Sequence, residues 1–272
     1  MRSVLDAGRL NSADEHEVQR LLDDEPVENA YLRSELRRGI VGGEWWGVHD
    51  GAGISAAVLA GPLAVPCIRD QDDASLLAEA AFAAVPPRML VGPQRSVLAL
   101  QRALAAVERP REVRDPQPLL VLDRTDGLPD IPCPVRRALR SDIEALTIAA
   151  AAMHREEMGI DPLRIDASAW RARMTALVDS GWSWVWNEGG RVVFKAELSA
   201  WNPDVVQIQG VYTDPAYRHR GVAAMALGVI CRSLLREVRL CSLYVNHYNG
   251  VALRLYDRLG FRRAGDFATV IY

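Results

Sequence analysis

Residues 109–134 read RPREVRDPQPLLVLDRTDGLPDIPCP. Proline fixes φ and removes a backbone donor, so no helix interior or central strand runs through such a stretch. The apolar run 119–122 predicts one strand inside it, while 123–134, with its aspartates, glycine and three prolines, predicts none. The chain is thereby divided. A linker at 126–133 leaves two parts, 1–125 and 134–272, each of ordinary domain size. Of the 272 residues 49 % are hydrophobic and 25 % charged, a mixture that supplies apolar side chains for two cores and argues against extended disorder.

The second part alternates strand and helix signals. Residues 135–139 predict a short strand. Ser141, with Glu144 three residues on, has capping-box spacing and predicts a helix running to about residue 157. Ser168 predicts the cap of a helix containing 169–179. Strands are expected at 182–187 and 191–199 around the hairpin signal Glu188-Gly189-Gly190, and another at 205–213. A helix at 217–237, a strand at 239–246, a helix at 250–259 and strands at 261–265 and 267–272 complete it. The first part gives helices at 15–22 and 27–38, strands at 45–49, 54–60 and 63–68, a helix at 74–84, a strand at 88–91 and a helix at 94–107. The two successions are alike, which implies an internal structural duplication without obvious sequence identity.

Composition removes several function classes. The net charge of −3 gives no general attraction to nucleic acid or anionic membrane, and acidic residues match the arginines along the chain. Apolar runs such as 54–63 and 80–85 are too short to span a bilayer. The N-terminus lacks the apolar core of a secretory leader, so a cytoplasmic protein is expected. Cys67, Cys133, Cys231 and Cys241 have neither zinc-knuckle nor redox-pair spacing, and the five histidines form no ligand pattern; no metal is expected. Lys195 is the only lysine beside 31 arginines.

Chemistry is concentrated in residues 209–224, QGVYTDPAYRHRGVAA. A strand ends near Thr213, Asp214-Pro215 turns the chain, and Arg218 is expected to open a helix with Gly221 and Ala223 in its first turn. A helix N-terminus presents unpaired N–H groups and a partial positive charge. A pyrophosphate can dock there when the backbone comes close, which a side chain at Gly221 would prevent. Arg218, His219 and Arg220 add donors at the same end.

Arg218-x-x-Gly221-x-Ala223 resembles the Q/R-x-x-G-x-G/A motif of the GNAT superfamily of acyl-CoA-dependent N-acetyltransferases, preceded by the matching Val211-Tyr212-Thr213-Asp214-Pro215. A second block, from Leu243 through Asn246, Asn249 and Tyr256 to Gly260-Phe261, is similar to the family's strand–Asn–helix–Tyr–x-x-x-Gly-Phe segment. The resemblance covers roughly residues 134–272, and the layout also looks like a tandem GNAT with a degenerate first copy that lacks the cofactor motif. It implies an α/β (α+β, mixed-sheet) fold: two tandem GNAT-like domains, each a twisted, mostly antiparallel sheet flanked by helices.

The resemblance also implies roles. Acetyl-CoA is the expected co-substrate. The backbone of Val211, Tyr212 and Thr213 would pair with the pantetheine arm as with an added strand. The amides of His219, Arg220, Gly221, Val222, Ala223 and Ala224, with Arg218, would hold the pyrophosphate, and Asn249 would meet the cofactor at the next helix. Tyr256, two turns further along that helix, would protonate the departing thiolate, unless it is simply a core aromatic. Gln207 and Gln209 stand where many family members keep an acid, and an amide cannot act as a base. Glu197 is the candidate base; an equally good reading pairs it with Lys195 or an arginine, or exposes it. Trp182, Trp184 and Trp186 share a strand face that would pack against a neighbouring element or line an acceptor pocket.

The first part has Ile68-Arg-Asp-Gln-Asp-Asp-Ala-Ser75 where a phosphate loop would follow its third strand. Asp70, Asp72 and Asp73 would repel a pyrophosphate. Shaping the acceptor site, docking the second half or self-association as a homodimer remain for it. The expected activity is direct transfer of an acetyl group to a primary amine of a small molecule or protein, without nucleic-acid or membrane partners. A non-catalytic acyl-CoA-binding regulatory module, or a tandem transferase with another acyl donor, is the alternative.

Overall fold

The computed structural model describes residues 6–40 and 44–272; residues 1–5, where a leader would begin, lie outside them. The elements of the first half are β1 (Asp6–Arg9), α1 (Glu15–Asp23), α2 (Ala30–Leu36), β2 (Glu44–His49), β3 (Ile54–Ala60), β4 (Leu63–Ile68), α3 (Gln71–Phe82), β5 (Met89–Pro93), α4 (Gln94–Leu104) and β6 (Glu112–Leu122). Those of the second are β7 (Arg136–Arg137), α5 (Ile143–Met158), α6 (Pro162–Asp179), β8 (Ser183–Glu188), β9 (Arg191–Trp201), β10 (Val205–Thr213), α7 (Val222–Leu234), β11 (Leu240–Tyr244), α8 (Gly250–Arg258) and β12 (Arg262–Ile271). Both halves read β-α-α-β-β-β-α-β-α-β. The match is closer than the sequence suggests, because β1 carries no clear strand signal and the two strands expected at 261–272 are one.

Compact units do not follow chain order. One contains residues 1–120, 244–250 and 263–272, the other 121–243 and 251–262. A division at 126–133 would leave the C-terminal strand with the second half, but β12 belongs to the first unit, where Phe267–Ile271 pair antiparallel with β5. Residues 126–133 are not a free tether either. Arg232 of α7 donates to Leu128 O at 3.1 Å and to Pro129 O, and Leu128 is buried.

In the first unit β1, β2, β3 and β4 are antiparallel neighbours, and β5 joins β4 in parallel. Strand periodicity sends alternate residues to opposite faces. Ala57 and Leu59 pack with Val18, Leu22, Leu32 and Trp45 in a core against α1 and α2. Ala56 and Val58 pack with Leu77, Val97 and Leu100 in a core against α3 and α4.

In the second unit β8, β9 and β10 are antiparallel, β7 pairs with β8, and β11 runs parallel to β10. The β8–β9 turn is Gly189-Gly190, with φ of +57° and +85°, the backbone that a two-residue hairpin of this twist requires. Trp184 is buried beneath the Arg137 guanidinium at 5.0 Å, and Trp186 donates to Glu188 Oε1 at 2.9 Å.

Two expected caps move. Asp142, not Ser141, precedes α5; its carboxylate accepts from Leu139 N at 2.8 Å, Arg136 at 2.7 and 3.1 Å and Asn187 Nδ2 at 3.2 Å. A carboxylate can serve all four donors at once, which a hydroxyl cannot. In α6 the helix breaks at Asp166, whose carboxylate caps Ala169 N at 2.9 Å and accepts from the Ser168 hydroxyl. No helix among the described residues is long and apolar enough to cross a membrane.

Hydrogen bonding from Arg136 holds the Asp142 carboxyl below the usual carboxylate range. Its stabilisation is complete above about pH 5 and is lost as pH falls through the folded-state value. Asp142→Asn should cost about 2–3 kcal/mol at pH 7, and urea unfolding should show the difference from wild type shrinking below about pH 4. A Cβ on Gly228 of α7 would lie 3.1 Å from Pro129 O. Gly228→Leu should lower stability by about 1–3 kcal/mol, despite leucine's better helix propensity.

Candidate active site

Antiparallel pairing between β10 and β9 continues to Thr213 opposite Phe194. Parallel pairing between β10 and β11 covers only Val205, Val206 and Gln207. From Ile208 onward the other edge of β10 has no paired strand among the described residues. The register between β10 and β9 shifts between Gln209 and Tyr212, at Gly210 with φ +59°. Such a bulge bends a strand and re-aims its groups. Val211, Tyr212 and Thr213 therefore lie on an open edge that can receive an extended ligand.

The turn after β10 is fixed by ion pairs. Asp214 accepts from Ala216 N at 2.9 Å and is clamped by Arg191 at 2.9 and 2.7 Å. Residues Pro215–Tyr217 form one 3-10 turn, and α7 starts at Val222, so the helix expected from 217 is shorter at both ends. Arg218 does not open the helix. Its guanidinium donates to Thr213 O at 3.0 Å and to Glu156 at 2.7 Å, bracing the turn. His219 at φ +62° and Gly221 at φ +76° reverse the backbone into α7. Gly221 is the N-cap rather than a first-turn residue. No side chain caps α7, and the position of a Gly221 Cβ has nothing within 4 Å. Val222, Ala223 and Ala224 follow with their amides in the uncapped first turn, and Arg220 lies over the Tyr217 ring at 5.8 Å.

Asn249 stands immediately before α8, with its N–H on Asn246 O at 2.9 Å. Tyr256 is buried on that helix, edge-on to Phe261 at 5.6 Å. Burial, and then the neighbouring Cys231 and Glu157, push the phenol up, so it stays protonated through the physiological range.

Glu197 and Lys195 lie on β9 with 1 % and 0 % exposure. Lys195 Nζ donates to Glu197 Oε1 at 2.6 Å and to Gly210 O at 3.0 Å. The pairing alternative for Glu197 is thus realised, yet its Oε2 has no hydrogen-bond partner. A Cβ on Gly210 would stand 3.0 Å from that oxygen and 3.1 Å from Nζ. Arg173 of α6 places Nη2 3.6 Å from Oε2 and stacks over Trp170 at 5.2 Å. His154 of α5 faces Trp170 at 5.2 Å; burial, then the Arg173 charge, lower its pKa and favour the neutral ring. Gln207 Oε1 accepts from Ser199 at 2.9 Å, and Gln209 Nε2 reaches Leu198 O at 3.5 Å. Neither Arg173 nor Trp170 is evident from sequence. Gly210 could have been found, because an isolated glycine in an apolar strand signals a bulge.

The first unit closes the corresponding features. After β4, Asp70 caps α3 by accepting from Asp72 N at 3.1 Å. Ser96 occupies both backbone groups of Ile68, at 2.9 and 3.0 Å, and Pro66 has no N–H. A cleft of about 580 Å³ in this unit is lined by Glu17, Asp24, Asp50, Asp70 and Asp73 with two arginines. None of the phosphate-motif residues lines it, and its carboxylates are unsuited to a pyrophosphate.

Residues 149–261 match the acetyltransferase (GNAT) family, and residues 43–146 match a domain of unknown function, DUF4081. No curated protein matches the chain. A GCN5-related N-acetyltransferase from Sphaerobacter thermophilus superposes with a TM-score of 0.62 at 17 % identity, covering 98 % of this chain and 94 % of that one. A tandem GNAT protein from the clavulanic acid biosynthesis pathway gives 0.59 at 16 %, covering 98 % of each. A GNAT-family acetyltransferase from Colwellia psychrerythraea gives 0.59 at 11 %, covering 98 % and 99 %. At these identities the likeness establishes the fold alone, that of a tandem GNAT protein, and the match to the GNAT acetyltransferase family is confined to residues 149–261.

Proposed function

We propose that the chain transfers an acetyl group directly from acetyl-CoA to a primary amine. The observation that carries this reading is the open edge of β10 leading into the uncapped N-terminus of α7. The residues fit the co-substrate: the edge at 211–213 that no strand covers among the described residues, with Thr213 O held by Arg218, for the pantetheine amides, and the 219–224 amides around a side-chain-free Gly221 for the pyrophosphate. Bound acetyl-CoA supplies an activated thioester carbonyl.

The chain's own groups then handle protons. Lys195 holds Glu197 Oε1, leaving Oε2 to accept the proton that leaves the amine as the C–N bond forms. Tyr256, kept protonated by burial, gives its proton to the thiolate as the C–S bond breaks. Cys231 is buried, and its thiol is raised well above the usual value, first by hydrogen bonding with Cys241 and then by burial. This supports direct transfer over an acyl-cysteine route.

Calorimetry with acetyl-CoA tests the docking. Gly221→Ala, which adds a side chain and left-handed strain without a carboxylate, should weaken binding about tenfold or more, and Gly221→Glu should lose about 100-fold or more. Tyr256→Phe should lower kcat about 100-fold with acetyl-CoA affinity kept. Binding without thiol release for any amine would leave an acyl-CoA-binding module in place of an enzyme.

A further inference from the structure

The acceptor is the open question, and the cluster beneath α6 bears on it. Glu197 Oε2 is a buried carboxylate oxygen without a hydrogen bond. A buried acceptor left unpaired costs free energy, which a ligand donor can recover. Lys195 cannot be that ligand's partner, because its ammonium is already directed at Glu197 Oε1 and Gly210 O. Arg173 is different. Its side chain is 43 % exposed, stacks on Trp170, and makes no hydrogen bond among the described residues. The Trp170 indole N–H is also buried without a partner. Acceptor and donors thus stand side by side, 3.6 Å apart at Glu197 Oε2 and Arg173 Nη2.

We propose that Glu197 and Arg173 together select the acceptor, an amine whose neighbouring carbon carries a carboxylate, as in an α-amino acid. The amine meets Glu197 Oε2 and the carboxylate takes the Arg173 guanidinium, which matches a carboxylate with two parallel N–H groups. Charge points the same way. Lys195, Glu197 and Arg173 sum to +1, so a polyamine or aminoglycoside would bring further cations to a cluster already in excess, whereas a carboxylate neutralises it. The short separation favours amine and carboxylate on one carbon over groups at opposite ends of a long molecule. Glu197 Oε2 is covered in the free protein, so Arg173 swings toward the incoming carboxylate as the amine enters. The bonds made and broken are those of the proposed transfer, on which this inference rests. Arg173 sets specificity and touches no reacting atom.

The test uses the full chain with alanine, phenylalanine, glutamate and lysine, each beside its α-carboxamide. Binding is read by calorimetry with CoA present, and turnover by thiol release with acetyl-CoA. At least one acid should exceed its amide by about tenfold or more in affinity or kcat/KM. Arg173→Gln should collapse that ratio toward one through KM, and Arg173→Lys should restore part of it. Arg171→Gln, on the same helix but paired with Glu144, should keep it. Amides used as well as acids by wild type would overturn the inference and leave the transfer reading standing. Acid binding that depends on Arg173, without thiol release, would support the acceptor site and sink the transfer. Binding of neither acids nor amides would overturn the inference.

Discussion

Parallel pairing between β10 and β11 ends at Gln207, and the candidate chemistry depends on that early end. A strand inside a sheet has both rows of backbone groups occupied and offers a ligand only its side chains. Here β9 holds one edge of β10 as far as Thr213 while the other edge is released. The bulge at Gly210 falls within the released stretch, and the turn clamped by Arg191 and Asp214 carries the chain from it into α7. Edge, turn and helix N-terminus form one track because a single strand and its immediate continuation supply all three.

The two halves show that element order alone does not make such a track. Both read β-α-α-β-β-β-α-β-α-β, and in both a helix follows the third strand of the central run. In the first half that helix is capped by its own Asp70, and the strand before it has Pro66 and an Ile68 whose N–H and C=O are both taken by Ser96. In the second half no side chain caps α7. A few residues therefore separate a strand–helix junction that can receive an anion from one that has satisfied itself.

Burying Lys195 and Glu197 together is costly, because both charges leave water. The second hydrogen bond, to Gly210 O, and the absence of a Cβ at Gly210 make room for the pair at the bulge. The chain otherwise uses only arginine as its strongly basic residue. A guanidinium is broad and planar, whereas an ammonium is a compact charge on a flexible stem. In a fully enclosed site 3.1 Å from where a Cβ would stand, the smaller head group is the one that fits.

Much of the plan could be read along the chain. The proline-rich stretch announced two halves, apolar periodicity placed most helices and strands, and β10 was bounded to the residue. Arg218-x-x-Gly221 pointed to a helix N-terminus, since positive φ at a glycine before a run of small residues is a local property. Local signals misplaced the caps, because Asp142 is chosen by Arg136 and Asn187 at other points of the chain. They missed β1, whose strand state comes from pairing with β2. They also split β12, which the antiparallel ladder with β5 keeps whole. The sequence by itself determined most of the succession of elements and the glycine turn into α7, which depend on neighbours within a few residues. Only the tertiary structure decided that β12 closes the first unit, that β10 parts from β11, and that Arg173 stands beside a buried Glu197, because each depends on contacts between residues far apart in the chain.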